Sequence, residues 1–249
     1  MVEAKNNILE SDLEAMALNG VHLGSLRSHS NPKMKSFVWS NKNAFQIIDL
    51  EKSKKNLEAA IEFLSGIKKK GGVILFVGTG MPAKDIIKKT AEDLNMPYVS
   101  EHWFGGTLTN FSTIIKQANR LKDLEKQKAS GELEKYTKYE ALKLQEKMKK
   151  LRRDFGGIVN MTRMPDAVWI SSAVYDKIAV AEAVKKGVPL AGLVNTNSDP
   201  TLFTYPIPAN DSAFSAVNFI VGLMRDALMK VEVPAPAAEA AVEKKKISK

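Results

Sequence analysis

The stretch that decides the fold is VILFVGTGMPA, residues 73–83. Its first five residues are apolar and rich in β-branched side chains, which is typical of a strand buried on both faces of a parallel sheet. The glycines that follow indicate a tight turn, and Pro82 suits the first turn of a helix predicted over residues 83–94. A strand, a turn and a helix in this order form the repeating unit of an α/β fold.

The same alternation of strands and helices continues on both sides of this unit. The further predicted elements are, in chain order, a strand at 44–50, a helix at 50–67, strands at 97–100 and 166–171, a helix at 176–186, a strand at 188–194 and a helix from 211 to about 230. Right-handed crossovers then place helices on both faces of the sheet. We therefore predict a three-layer α/β fold with a mostly parallel sheet covered by helices, as in flavodoxin-like or Rossmann-like domains.

Residues 107–155 interrupt the alternation with a segment of a different kind. Apolar residues recur there at spacings of three and four in two runs, which predicts one apolar seam on each of two helices. The runs are Phe111, Ile114, Ala118 and Leu121, then Ala141, Leu144, Met148, Leu151 and Phe155. Ser130 and Gly131 separate the runs, and TKYE (137–140) has the capping-box pattern of a helix start. We predict an antiparallel coiled-coil helical hairpin inserted in the sheet domain.

Four regions follow from these patterns. Residues 1–43 form a basic N-terminal segment, residues 44–106 and 156–230 a discontinuous α/β domain, residues 107–155 the hairpin, and residues 231–249 a tail. The tail is rich in proline and alanine and has no apolar periodicity, so burial cannot offset the conformational entropy lost on ordering. We predict that the tail is disordered.

The excess positive charge lies outside the predicted sheet. The chain has 37 Lys and Arg against 28 Asp and Glu, a formal net charge of +9. Residues 56–106 and 156–230 each contain six basic and six acidic residues, whereas residues 107–155 contain thirteen basic and seven acidic residues. A neutral body with basic appendages predicts a polyanionic partner that contacts the appendages.

Composition also limits the kinds of site the protein can contain and its possible location in the cell. The chain has no cysteine, which excludes disulfides, thiolate nucleophiles and cysteine-based zinc sites. No apolar run reaches the roughly 18 residues of a membrane-spanning helix, and the acidic N-terminal residues do not fit a signal or transit peptide. We expect a soluble, cytoplasmic protein without a membrane partner.

The glycine turn raises an alternative function. Residues 78–83 fit the G-x-G-x-x-G/A fingerprint of dinucleotide-binding folds, in which backbone amides approach a pyrophosphate at a helix N-terminus. Glu101 lies near the position of the acidic residue that binds the ribose in such folds. A nucleotide-dependent oxidoreductase using Gly78, Gly80 and Glu101 is therefore an alternative, although Pro82 removes one amide donor from the loop.

The remaining residues do not complete an enzyme site. The three histidines are His22, His29 and His102, and no H-E-x-x-H, G-x-S-x-G or G-x-x-x-x-G-K-[ST] motif is present. His22, Asp199 and Asp211 lack the spacing of recognised metal ligands. We predict no catalytic, cofactor-binding or metal-binding residues. A further alternative is a protein-interaction module whose coiled coil docks partner helices.

A dozen short motifs occur in one order along almost the whole chain. They are LNGVHLG (18–24), NPKMK (31–35), IIDLEK (47–52), ILFVGT (74–79), HWFGGTLTN (102–110), LKDLE (121–125), FGG (155–157), MPDA (164–167), AEA (181–183), GVP (187–189), NTNSDP (195–200) and IPAND (207–211). In this order they resemble the S2 family of bacterial-type small-subunit ribosomal proteins. The chain departs from the family at Gly80 and Met81, where basic residues are common, and at Leu23, Ser25 and Asn195, where phenylalanine, histidine and aspartate are common.

The resemblance implies an α/β sandwich domain with a protruding coiled-coil hairpin, located between the head and the body of the small subunit. It also implies contacts with small-subunit rRNA and neighbouring small-subunit proteins, and in many bacteria a role in docking the large first protein of that subunit. We therefore predict a structural constituent of the small ribosomal subunit, not an enzyme, that supports assembly and translation. A bacterial ribosome is the expected location, and an organellar ribosome is the alternative.

We expect rRNA contacts from basic residues of the N-terminal segment and the hairpin, because Lys and Arg neutralise phosphates and release counterions. RNA shape, more than base reading, then fixes the site. The predicted RNA-binding residues are Arg27, His29, Lys33, Lys35, Lys42, Arg120, Lys122, Lys126, Lys147, Lys149, Arg152 and Arg153. Trp39 and Trp103 are candidates for stacking on a base.

Overall fold

The structure is a computed structural model that describes residues 13–130 and 137–232, except for the side chain of Lys138. The tail that we predict to be disordered lies outside the described residues from position 233 onward. In the described part of the chain, no helix is long and apolar enough to cross a membrane.

A small antiparallel sheet precedes the α/β body. It consists of β1 (Leu23–Leu26), β2 (Val38–Lys42) and β3 (Phe45–Ile48), in the order β1-β3-β2. Asn43 joins β2 to β3 with a φ of 56°, a left-handed conformation that asparagine tolerates in short hairpin turns. The strand predicted at 44–50 is therefore present as β3, but our expectation that it joins the βα alternation is wrong, because β3 pairs with two strands of the N-terminal segment.

The elements that follow β3 form the body and the hairpin. They are, in chain order, α1 (Leu50–Lys69), β4 (Ile74–Val77), α2 (Lys84–Asp93), β5 (Tyr98–Val99), α3 (Phe111–Ala129), α4 (Lys138–Phe155), β6 (Ala167–Ile170), α5 (Lys177–Lys186), β7 (Leu190–Val194), β8 (Tyr205–Pro208) and α6 (Phe214–Met229). Strands β5-β4-β6-β7-β8 form one sheet in that order, and every neighbouring pair is parallel. This architecture confirms the predicted α/β fold.

Strand β8 was not predicted from the sequence, because its residues YPIP contain two prolines. Proline cannot donate a ladder hydrogen bond and is therefore confined largely to edge strands. The structure places β8 at the edge of the sheet, beside β7, where this restriction is tolerated.

Two hydrophobic cores cover the two faces of the parallel sheet. Side chains alternate along each strand, so Phe76 and Trp169, which are paired across β4 and β6, contribute to one core. That core also contains buried residues of α1, α2 and α6. Leu75 and Val168 contribute to the other core, which includes residues of α5 and the bases of α3 and α4. The sheet is thus the middle of three layers.

Helices α3 and α4 pack against each other as the predicted hairpin requires. Ile114, Ala118, Leu121 and Leu124 of α3 are buried, as are Met148 and Phe155 of α4. The capping box at the start of α4 is present: Thr137 Oγ1 accepts from the Glu140 amide, and Glu140 Oε2 accepts from the Thr137 amide. The residues between the helices, 131–136, lie outside the described part, and the coiled-coil character of the pair stays a prediction.

Candidate nucleic-acid interface

The predicted RNA-binding residues of the N-terminal segment lie on two short 3₁₀ turns and at the end of β2. Arg27 and His29 belong to the turn Arg27–His29, and Lys33 and Lys35 belong to the turn Pro32–Phe37. Lys42 is the last residue of β2. All five side chains are exposed. Asn31 begins the second turn, and its side-chain Oδ1 accepts from the Lys33 amide at 3.0 Å.

Polar contacts connect this segment to the α/β body. Lys33 Nζ forms an ion pair with Asp199 Oδ2 at 2.6 Å and donates to Thr201 Oγ1 at 3.1 Å. The hydrogen bond from Lys33, with others from Thr201, lowers the pKa of the Asp199 carboxyl below its ordinary value. The Asn31 amide donates to the Thr196 carbonyl at 2.8 Å. The segment is therefore held in a fixed place beside β7 and β8.

The predicted residues of the hairpin lie on α3 and α4. Six of them are exposed, while Lys122 is half-buried. The six are Arg120, Lys126, Lys147, Lys149, Arg152 and Arg153. Two form ion pairs on the surface: Arg152 Nη2 lies 2.6 Å from Glu125 Oε1, and Arg153 Nε lies 2.9 Å from Asp154 Oδ1. The pair of Arg152 with Glu125 is the more exposed of the two, and exposed pairs contribute about 0–1 kcal/mol, so a phosphate can compete for Arg152.

A cleft of about 470 Å³ lies between the two hairpin helices, and Lys149 and Arg152 line it. Lys128, which was not among the predicted residues, lines the same cleft. No local pattern distinguishes Lys128 from the other lysines of its helix, because the residues that line the cleft depend on how the facing helix packs.

Trp39 and Trp103 have opposite environments. The Trp39 side chain is 75% exposed, whereas Trp103 is 5% exposed. Trp103 Nε1–H donates to Glu182 Oε1 at 3.2 Å, and the ring belongs to the core that includes Phe155. The interpretation of Trp103 as a base-stacking residue is therefore wrong, because the folded protein leaves no ring face available.

Glu182 of α5 organises the loop that leads into the hairpin. Its carboxylate accepts hydrogen bonds from the amides of Gly106, Leu108 and Thr109, at 2.7, 3.0 and 3.0 Å, in addition to the bond from Trp103. Burial alone would raise the pKa of Glu182, but these hydrogen bonds together lower it below its ordinary value. Sequence reasoning missed this carboxylate, which lies more than 70 positions after the loop that it holds.

Side chains of the protein occupy the space around the glycine turn after β4. A Cβ on Gly78 would lie 2.8 Å from Ile87 Cγ1, and one on Gly80 would lie 2.9 Å from the ring of Tyr175. The Thr79 amide donates to Asp176 Oδ1 at 3.2 Å, and the Thr79 hydroxyl donates to the same oxygen at 2.7 Å. The glycines are thus explained by packing, and an amide that a pyrophosphate would use is already occupied.

Two acidic residues considered for chemistry, Glu101 and Asp211, have structural partners. Glu101 forms an ion pair with Lys84 at 3.1 Å. Asp211 accepts hydrogen bonds from Ser172 at 2.5 Å and from Asn195 at 2.8 Å. In the described ranges 13–130 and 137–232, no group of three His, Cys, Asp or Glu residues is placed to hold a metal ion.

Comparisons with known proteins agree with the order of motifs along the chain. The family model described as ribosomal protein S2 matches residues 16–231. The small ribosomal subunit protein uS2 of Acidothermus cellulolyticus is 42% identical over 229 residues, which cover 92% of this chain and 83% of the relative. The protein of the same name from Fusobacterium nucleatum is 42% identical over 212 residues, which cover 85% of this chain and 86% of the relative. The chain belongs to the ribosomal protein S2 family.

Proposed function

We propose that the chain performs its structural role in the small ribosomal subunit by binding rRNA through two basic surfaces. The N-terminal basic surface consists of Arg27, His29, Lys33, Lys35 and Lys42. The hairpin basic surface consists of Arg120, Lys122, Lys126, Lys147, Lys149, Arg152 and Arg153. The family consists of structural ribosomal proteins and not of enzymes. Neither the oxidoreductase nor the interaction module is supported as an alternative.

The proposal rests on one observation, which is that these cations are exposed and lie outside the sheet. All but Lys122 are exposed, and none belongs to the parallel sheet or to α1, α2, α5 and α6. Lys and Arg that neutralise phosphates release condensed counterions, so binding through such a surface is strong at low salt and weakens steeply as salt is added. The neutral body contributes little to this counterion release, so the N-terminal segment and the hairpin supply most of the electrostatic attraction to RNA.

The ion pairs on the hairpin basic surface do not prevent phosphate binding. The contact between Arg152 and Glu125 uses Nε and Nη2 of the guanidinium. A guanidinium carries five N–H donors in a planar fork, so Nη1 of Arg152 is still able to contact a phosphate. The N-terminal basic surface behaves similarly, since Lys33 uses two of its three donors on Asp199 and Thr201.

The partners follow from family membership. They include small-subunit rRNA and neighbouring small-subunit proteins, and we propose that the large first protein of the subunit is one of them. The relatives described above come from bacteria and carry the name of a small-subunit protein. We therefore propose that the chain acts in the cytoplasmic ribosomes of a bacterium, where it supports assembly of the subunit and translation.

The salt dependence of rRNA binding tests the hairpin basic surface. The triple variant Lys126→Gln, Lys147→Gln and Lys149→Gln removes three exposed cations from the two hairpin helices. We expect weaker binding to small-subunit rRNA. The slope of log K against log salt should become shallower by about 2 to 3, because each lost phosphate contact removes about 0.7 to 0.9.

A matched control removes the same charge from the body. Lys88→Gln, Lys89→Gln and Lys185→Gln replace exposed lysines of α2 and α5. If phosphates are contacted by the hairpin, the control should keep nearly the wild-type slope. Equal losses of slope in both triple variants would show that net charge alone matters and would contradict the hairpin basic surface as an RNA site.

A further inference from the structure

Trp39 is an exposed aromatic residue on a surface that carries positive charge. It lies on β2 and is 75% exposed, while Trp103 and Trp169 are 5% and 0% exposed. Tryptophan contributes strongly when it is buried at an interface, and leaving its ring in water forgoes that free energy. An exposed tryptophan beside cations is therefore a candidate contact for a ligand.

A polar cleft of about 450 Å³ borders Trp39. Two cations, Arg27 and Lys35, line it together with the amide side chains of Asn31, Asn41 and Gln46. Among the residues that line this cleft in the described part of the chain, none is an aspartate or glutamate. The cleft thus offers a ring to stack on, positive charge and amide groups, and no acidic group that would repel a phosphate.

Gln46 is the least exposed of these polar groups. It is 9% exposed, and its position on β3 pairs with Asn41 of β2. Its Oε1 has no hydrogen-bond partner among the described residues, although buried acceptors are almost always paired in folded proteins. The last torsion of a glutamine side chain is broad, so the amide can turn either its oxygen or its nitrogen toward the cleft.

We propose that this cleft binds one unpaired nucleotide of RNA. The base stacks on the Trp39 indole, Arg27 and Lys35 contact the flanking phosphate, and the Gln46 amide hydrogen-bonds to the edge of the base. Sequence-specific contacts to RNA are made mostly to unpaired bases that stack on aromatic side chains, which is the chemistry that this cleft supplies. The assignment rests on the proposed rRNA-binding function and names one contact within it.

The other side of Trp39 favours a different kind of partner. A second cleft there is lined by Leu13, Ala17 and Ile47, with the carboxylates of Asp49 and Glu51. Apolar groups with acidic neighbours do not attract phosphate, so the nucleotide is assigned to the polar cleft alone. The volume of the polar cleft, about 450 Å³, falls within the roughly 300–1,000 Å³ that is typical of pockets for small ligands.

Contacts within the protein fix the turn that lines the cleft. Met34, on the same turn as Lys35, is fully buried in the core, and the ion pair of Lys33 with Asp199 fixes that turn. A preformed site spends less free energy on ordering side chains and loops when the ligand arrives. The geometry therefore suits a stacking contact that is made without refolding of the segment.

Binding and fluorescence measurements on the full chain test the assignment. Trp39→Ala should weaken binding to small-subunit rRNA by about 5- to 150-fold, which corresponds to the roughly 1–3 kcal/mol of one base stacked on an aromatic ring. Trp39→Phe keeps an aromatic face and should bind within about 3-fold of wild type. Both variants should keep the wild-type salt slope, because no phosphate contact is removed. The rRNA should also quench the part of the emission that Trp39→Phe removes.

Gln46→Leu adds a readout that separates binding from folding. It removes an acceptor without a partner, so thermal stability should be held or raised. Affinity for rRNA should nevertheless fall by about 2- to 12-fold, the equivalent of about 0.5–1.5 kcal/mol for one hydrogen bond. A variant that lost stability and affinity together would instead point to a structural role for Gln46 and would overturn its part in the site.

The outcomes distinguish the nucleotide site from the proposed function. If wild type binds rRNA with a steep salt slope, but Trp39→Ala binds equally well and no quenching occurs, the nucleotide site is overturned and the rRNA-binding function stands. Quenching of Trp39 by purified small-subunit proteins and not by rRNA would assign the cleft to a protein and also overturn it. A wild-type chain that does not bind rRNA at all would overturn both.

Discussion

Replacing Glu182 with glutamine should destabilise the base of the hairpin. The carboxylate accepts five hydrogen bonds: Trp103 Nε1 and the Gly106 amide donate to one oxygen, while the Leu108 amide, the Thr109 amide and the Thr109 hydroxyl donate to the other. A glutamine can present only one carbonyl oxygen, and its NH₂ group would face donors. With the NH₂ group in place of Oε1, the Trp103 indole N–H and the Gly106 amide lose their acceptor. With the NH₂ group in place of Oε2, the Leu108 and Thr109 amides lose theirs, so two N–H donors are left without a partner in either orientation.

The expected loss in the free energy of unfolding follows from these two donors without an acceptor. Each buried donor without a partner costs about 1–3 kcal/mol, so two of them cost about 2–6 kcal/mol. Gly106 and Thr109 are half-buried, which allows water to replace part of the lost hydrogen bonding in either orientation, so we expect a loss of about 3 kcal/mol. For a domain of this size, a loss of about 1 kcal/mol lowers Tm by roughly 2–4 °C, so Tm should fall by roughly 6–12 °C.

Urea unfolding of the full chain measures this loss directly. Glu58→Gln is the control, because Glu58 is exposed on α1 and its substitution should change the free energy of unfolding by less than about 0.5 kcal/mol. Glu182→Gln should also weaken rRNA binding, since the loop from Gly106 to Thr109 sets the direction of α3. A loss of stability no larger than that of Glu58→Gln would refute the role given to this carboxylate.

The pH dependence of stability has a definite sign at Glu182. The pKa of its carboxyl is lowered in the folded chain from an ordinary value of 4.5. The unfolded state therefore takes up protons first as pH falls, so the stabilisation is present above about pH 4.5 and is lost as pH falls through the folded pKa. Glu182→Gln should remove this contribution, so the free energy of unfolding of the variant should decrease less steeply than that of wild type as pH falls below about 4.5.

Two further predictions concern the α/β body. Burial raises the pKa of Asp176 from 3.8 to about 6, so the folded chain binds this proton more tightly than the unfolded chain, and Asp176 makes stability fall as pH rises between these values. Asp176→Asn should remove that fall in urea unfolding across this pH range, and an unchanged pH profile would contradict the assignment. Gly192 lies on β7, where an added Cβ would lie 2.1 Å from the Ile170 carbonyl oxygen of β6. Gly192→Ala should therefore cost at least about 1–3 kcal/mol in chemical denaturation, because backbone of a central strand must move. Gly222→Ala, at an open helical position, is its control and should be neutral or slightly stabilising.

Patterns that repeat within a few residues were sufficient to predict the body and the hairpin. The apolar run of β4 and the helix after it have local signatures, and so does the capping box at Thr137 and Glu140. Strands β1 and β2 lack such a signature: LGSL and VWSNK are short and mixed, and they become strands by pairing with β3. Strand propensity depends on such neighbours more than on the residues themselves.

The candidate interface was predictable as a charge distribution but not as a geometry. Trp39 and Trp103 are indistinguishable by residue type, and only the folded chain shows that Trp103 is buried, with its Nε1–H bonded to Glu182, while Trp39 is exposed. Lys33 looked like any exposed lysine, yet it holds Asp199, which lies 166 positions later in the chain. The glycine turn was the most misleading local motif, because the ring of Tyr175 that covers Gly80 comes from a distant loop.

Co-sedimentation with ribosomal subunits tests the central claim most directly. The chain, carrying a tag and expressed in the cells from which it comes, is separated from lysate on a density gradient after a high-salt wash. A structural constituent that is bound to rRNA should migrate with the small subunit in a fixed ratio to rRNA, and the hairpin triple variant should dissociate at lower salt. Recovery of the wild-type chain only as free protein at the top of the gradient would contradict the account.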